Sequence, residues 1–117
     1  MSIIERIKSA LEELKIRDIS IYDLGKKSVI ADYIVVSTAD SSVQLDSGRG
    51  RIEELMWKTK LPLKNPSEDW NGGWLIMDYG DIIINIFLEE KRSFYNLDGL
   101  LGSHEYESSE IKNVFNR

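Results

Sequence analysis

Asp78 and Asp81 are the residues of this chain whose type and spacing come nearest to a chemical centre. They bracket Tyr79 and Gly80 in a D-Y-G-D corner. Two carboxylates at that distance suggest a divalent-metal pair of the kind used in nucleotidyl transfer. Magnesium, however, needs oxygen ligands that converge with room left for phosphate. Carboxylates on either side of a tight turn need not converge, and a solvated hairpin tip explains them as well. The turn reading is the stronger one. His104 is the only histidine and has no base, nucleophile or ligand near it in sequence, so a surface residue is expected there. Thr38, Ser41 and Ser42 lack a G-x-S-x-G elbow and look like helix caps. Gly48 and Gly50 lack a third glycine and fall inside a helical pattern, too weak a basis for a phosphate loop. There is no cysteine, which removes disulfides, thiolate metal sites and cysteine nucleophiles. No cofactor is implied.

The aromatic residues carry more information. Trp70 and Trp74 bracket Asn71-Gly72-Gly73, and Trp, Tyr and Arg are over-represented at binding hot spots. Core and interface readings both stand open for Trp74. Phe94 and Tyr95 are adjacent, so on a helix they point about 100° apart, and one can be core while the other faces out.

These residues sit in a chain of 117 residues, enough for one domain with one core. Net charge is −5. An acidic chain is repelled by phosphate backbones, so direct nucleic-acid binding is not expected as the main activity. A basic protein surface is the better partner. No apolar run approaches the roughly 20 residues that span a bilayer. The start, M-S-I-I-E-R-I-K, lacks the basic opening and continuous apolar stretch of a secretory signal. A cytoplasmic protein is expected, with no membrane partner.

The elements that must position these residues follow from periodicity. Ser2 and Glu5 form a capping box, and Ile4, Ile7, Leu11 and Leu14 recur at helical spacing, which predicts a helix over 3–16. Residues 19–24 alternate as a half-buried strand does. Residues 29–37 are dense in β-branched side chains, which predicts a central strand buried on both faces. A second helix is expected over 42–59. Gly48 and Gly50 cost it about 1 kcal/mol each relative to Ala, through close backbone packing or a loose segment. Residues 61–73 read as a loop with one short edge strand around Leu61 and Leu63. Apolar runs at 74–78 and 81–88 flank the corner as two adjacent strands. Glu89-Glu90-Lys91-Arg92 is a charged junction into a short helix over 93–101, with Gly102 as C-cap. The order implies one α/β domain, a mixed β-sheet flanked by helices, over 1–102. In the tail over 103–117, Ile111, Val114 and Phe115 leave one amphipathic turn and a disordered end both open.

Residues 74–97 read W-L-I-M-D-Y-G-D-I-I-I-N-I-F-L-E-E-K-R-S-F-Y-N-L. They resemble the signature of the ribosomal silencing factor family, also called Iojap-like: W-V-L-L-D-Y-G-D, a hydrophobic run, then F-x-E-E-x-R-x-F-Y-x-L. A second match, at 30–38, is similar to the family's I-x-D-Y-hydrophobic-V-I-x-S/T-G. Three departures stand out. Asn85 takes the place of a common histidine, Leu101 replaces a frequent Trp, and the second helix bears glycines.

The resemblance implies a nucleotidyltransferase-like fold without the catalytic acids, and indeed no G-S followed by D-x-D is present. It implies a binding protein rather than an enzyme, one that docks on ribosomal protein L-fourteen of the large ribosomal subunit. Docking there blocks subunit joining and lowers translation when nutrients are scarce. Homodimers occur within the family. The expected partner-binding cluster centres on Trp74, Ile76, Asp78 and Tyr79, with Asp81, Arg92, Phe94 and Tyr95 nearby, and with no catalytic, cofactor or metal residues. Trp74, Ile76 and Asp78 share one strand face by period two. A large-subunit assembly factor and a nucleotidyltransferase with reordered carboxylates are the competing readings.

Overall fold

In a computed structural model the described residues are 2–26, 28–70, 72–102 and 105–106. Helix α1 (Ile3–Glu13) starts at the expected box: the Ser2 side chain accepts from the Glu5 N–H at 3.2 Å, and the Glu5 carboxylate accepts from the Ser2 N–H at 3.1 Å. It ends three residues before the expected limit. Lys15 turns left-handed at φ 65°, and the Ile16 N–H returns to the Leu11 carbonyl at 3.1 Å. This is a Schellman ending, with Ile16 and Leu11 both buried in the core behind it. Helix α2 (Ser42–Lys58) has the expected extent and is capped by Ser41, whose hydroxyl accepts from the Gln44 N–H at 3.1 Å. It ends the same way, with Lys60 at φ 60° and the Leu61 N–H on the Met56 carbonyl at 2.9 Å.

The strands are β1 (Arg17–Asp23), β2 (Tyr33–Ala39), β3 (Asn65–Trp70), β4 (Trp74–Asp78), β5 (Ile82–Leu88) and β6 (Glu105–Tyr106). They form one sheet in the order β3-β4-β5-β2-β1-β6. Among the described residues only the central β2–β5 pair is parallel, so the sheet is mixed, as expected. Two expectations fail locally. Strand β2 begins at Tyr33, because Val29 (100% exposed) and Ile30 (60%) stand in the loop before it and have nothing to pack on. The edge strand lies at Asn65–Trp70 rather than near Leu61 and Leu63, since the Schellman turn after α2 occupies 59–61.

Helices α1 and α2 cover one face of the sheet. There Ile7, Leu11, Ile52 and Met56 meet Val35, Leu75, Met77, Ile84 and Ile86, which alternate inward from their strands. Gly48 settles its open question in favour of close packing. A Cβ there would stand 2.8 Å from both the Ile16 and Ile86 Cδ1 atoms, whereas one at Gly50 meets nothing within 4 Å.

The second face carries Tyr22, Ile34, Val36, Trp74 and Phe87 beneath α3 (Glu89–Tyr95) and α4 (Leu97–Leu101). The expected single helix over 93–101 is thus two. The first begins directly at the charged junction, with Glu89 and Glu90 in its first turn, where acids suit the helix dipole. Asn96, at φ 48°, ends α3 and starts α4, its side-chain oxygen accepting from the Gly99 N–H at 3.2 Å. Gly102 is the C-cap, as expected, and Leu101 is buried in the second core. Past it, Glu105–Tyr106 pair with Ile21 and Tyr22 of β1. His104, Ile111, Val114 and Phe115 lie outside the described residues.

Candidate functional site

The D-Y-G-D corner is a structural joint. Gly80 adopts φ 84° at the first central position of a two-residue hairpin loop, where glycine is favoured, and the Tyr79 N–H donates to the Ile82 carbonyl at 2.9 Å. One oxygen of Asp78 accepts from the Gly80 N–H at 2.8 Å and the other from the Asn65 side chain at 2.8 Å. Asp81 is exposed, while its carbonyl accepts from the N–H groups of Asp32 and Tyr33 at 2.9 and 3.0 Å, fixing the start of β2. Among the described residues no group of three or more His, Cys, Asp or Glu could hold a metal ion.

Trp74 stands at the start of β4, and its side chain lies on the second face. Cross-strand register sets it opposite Phe87. The two rings stack at 5.1 Å and 23°, and Tyr95 of α3 lies against the same indole at 4.6 Å. The Trp74 indole N–H donates to the Asn85 side-chain oxygen at 2.9 Å. Buried Asn85 in turn donates from its amide to the Val35 carbonyl at 3.2 Å. Trp74 is therefore half core and half surface. Phe94 touches Tyr95 edge-on at 5.1 Å and is 79% exposed, so of the adjacent pair it is the one that faces out. Leu100 of α4 is 80% exposed.

Arg92, expected near the partner-binding cluster, spends its guanidinium on bonds within the fold. Its guanidinium makes two parallel bonds of 2.9 Å to Asp98. It also donates to the Thr38 hydroxyl at 2.9 Å, the Ser20 hydroxyl at 3.3 Å, and the Asp18 carbonyl. The Tyr22 hydroxyl donates to the same Asp98 carboxylate at 2.5 Å. Burial pushes the Asp98 carboxyl up, but the hydrogen bonds from Arg92 and Tyr22 outweigh it and hold the group below its ordinary value. Arg92 thus ties α3 and α4 to β1 and β2.

Tyr79 stands apart from the rest of the expected cluster. It packs on the α1–α2 side, away from Trp74. Burial, with the charge of Glu53 adding to it, pushes its phenol up to about 12. Of the eight expected residues, Trp74, Tyr95 and Phe94 form one chain of ring contacts, and Ile76 and Asp78 follow Trp74 along the same half-buried strand face. Asp81 sits at the far end of that hairpin, Tyr79 packs on the opposite face, and Arg92 is part-buried in its network with Asp98. Sequence reasoning missed Phe87 as the stacking partner and Asp98 as the partner of Arg92, and it noted Asn85 only as a departure from the family pattern. Counting back from the two-residue corner would have found Phe87 and Asn85, because it pairs Trp74 with Phe87 and Ile76 with Asn85.

The site is an aromatic patch built on the second face of a mixed-sheet α/β domain. That fold recurs in a crystal structure from Chromobacterium violaceum, with a TM-score of 0.78 at 24% identity over 93% of this chain and 94% of that one. One from Bacillus halodurans matches with a TM-score of 0.74 at 18% identity, over 89% and 95%. Among sequence relatives, the ribosomal silencing factor of Bacillus subtilis is 26% identical over 101 residues, 86% of each chain. That of Zymomonas mobilis is 29% identical over 100 residues, 86% of this chain and 75% of the relative. The chloroplast Iojap protein of maize is 26% identical over 97 residues, 83% of this chain and 42% of the longer relative. The family described as ribosomal silencing factor during starvation matches residues 2–116. The chain belongs to that family of ribosomal silencing factors. Among the described residues no helix is long and apolar enough to cross a membrane.

Proposed function

We propose that this protein represses translation in the cytoplasm without catalysis, by docking on ribosomal protein L-fourteen of the large subunit and sterically blocking subunit joining. The observation that carries the docking surface is the exposed Phe94, continuous through Tyr95 with the Trp74 stack. A rigid aromatic anchor held by a packed second layer is the usual make-up of a hot spot. The net charge of −5 favours a basic partner and speeds encounter with it. An interface of roughly 800 Å² per partner suffices for steric exclusion.

Binding of purified L-fourteen and of large subunits to Phe94→Ala and Leu100→Ala tests the placement. Both side chains are exposed, so folding should be unchanged while affinity falls about tenfold or more for Phe94→Ala. Unchanged affinity in both variants would move the docking surface elsewhere.

A further inference from the structure

Residues 57–64 read W-K-T-K-L-P-L-K, with three lysines and no acid, in a chain whose net charge is −5. The left-handed turn at Lys60 folds Leu61 back against the core and leaves Trp57 83% exposed. Trp57, Lys58, Lys60, Leu61 and Pro62 line an open groove beside the helix end, and Lys64 is exposed just beyond it. Glu54 pairs with Lys58 at 3.3 Å on the solvated surface, a contact too weak to hold that lysine against a polyanion. An indole so exposed among apolar and cationic neighbours marks an interaction surface.

We propose that this groove binds an unpaired nucleotide of RNA, the Trp57 indole stacking on the base while Lys58, Lys60 and Lys64 meet the phosphates. Aromatic stacking beside a cationic track is the combination that single-stranded nucleic acid uses. A protein partner fits less well, because lysine is depleted at protein interface cores. Helix α2 covers the face of the sheet opposite Trp74 and Phe94, so the groove stays open when a protein occupies the aromatic patch. The contact is accessory: the rest of the acidic chain opposes phosphate, so a local basic groove sets orientation rather than supplying the main affinity. Assigning the RNA to the large subunit rests on the docking proposed above.

The test is fluorescence anisotropy of a labelled oligouridylate with the whole chain, at low and physiological salt. It is run on the unmodified protein, on Trp57→Ala, and on the double variant Lys60→Glu, Lys64→Glu. Saturable binding is expected, weakened about tenfold by Trp57→Ala. The double variant should flatten the salt slope by about 0.7 per lysine. Trp57→Ala should also bind large subunits more weakly while binding isolated L-fourteen normally. Equal oligonucleotide binding by all three proteins overturns the proposal. So does capture of polyglutamate, lost in Trp57→Ala, without any binding of RNA. Oligonucleotide binding that depends on Trp57, in a protein that binds neither L-fourteen nor large subunits, would sustain the RNA site and defeat the docking proposal instead.

Discussion

The indole N–H of Trp74 is held by the side-chain oxygen of Asn85 at 2.9 Å, across a hairpin whose tip is the D-Y-G-D corner. The Asn85 amide is anchored in turn to the Val35 carbonyl on the central strand. Asn85 therefore fixes the orientation of the central aromatic.

This pairing makes Trp74→Ala primarily a stability lesion. It removes the stack on Phe87 and Tyr95 and leaves the Asn85 oxygen without its donor, a loss of about 3 kcal/mol. Trp74→Phe should cost less, about 1–2 kcal/mol. Urea unfolding of Trp74→Phe, Asn85→Ala and their combination should show a coupling of about 1 kcal/mol. Strict additivity would mean that the hydrogen bond contributes nothing.

Arg92→Gln should lower stability by about 2 kcal/mol at neutral pH, because it breaks a bidentate, partly buried pair. The pH dependence follows from Asp98, whose folded value lies below the ordinary 3.8. A lowered carboxylate contributes stability that is present above that ordinary value and lost as pH falls through the folded value. The stability difference between the two proteins should therefore shrink below about pH 4. A difference that stays constant down to acid pH would show that the pair does not act through the Asp98 charge.

Two glycines of one helix should respond in opposite directions. Gly50→Ala enters open space and gains helix propensity, so it should stabilise by up to about 1 kcal/mol. Gly48→Ala makes the same gain but presses on Ile16 and Ile86 together, and should be destabilising by about 1 kcal/mol net. Paired thermal melts decide it, and stabilisation by both substitutions would mean that the α1–α2 layer yields easily.

What was legible in the sequence follows from locality. The Ser2 box, the extent of α2 and the hairpin around Gly80 are written in residues a few positions apart, and all three stand. Two of the misplacements share one cause: the end of α1 and the edge strand after α2 both follow a lysine in the left-handed region, Lys15 and Lys60, where glycine is the usual signal. Val29 and Ile30 have strand character but no layer to pack on. The roles of Arg92 and Tyr79 depended on contacts between distant elements. Arg92 reaches Thr38 and Asp18, and Tyr79 turns toward α2, neither of which local periodicity encodes.

Sucrose-gradient sedimentation of purified large and small subunits, mixed under joining conditions with and without this protein, tests subunit exclusion most directly. The protein is expected to travel with free large subunits while the joined-ribosome peak falls. Migration with joined ribosomes, or at the top of the gradient with the joined peak unchanged, would contradict it.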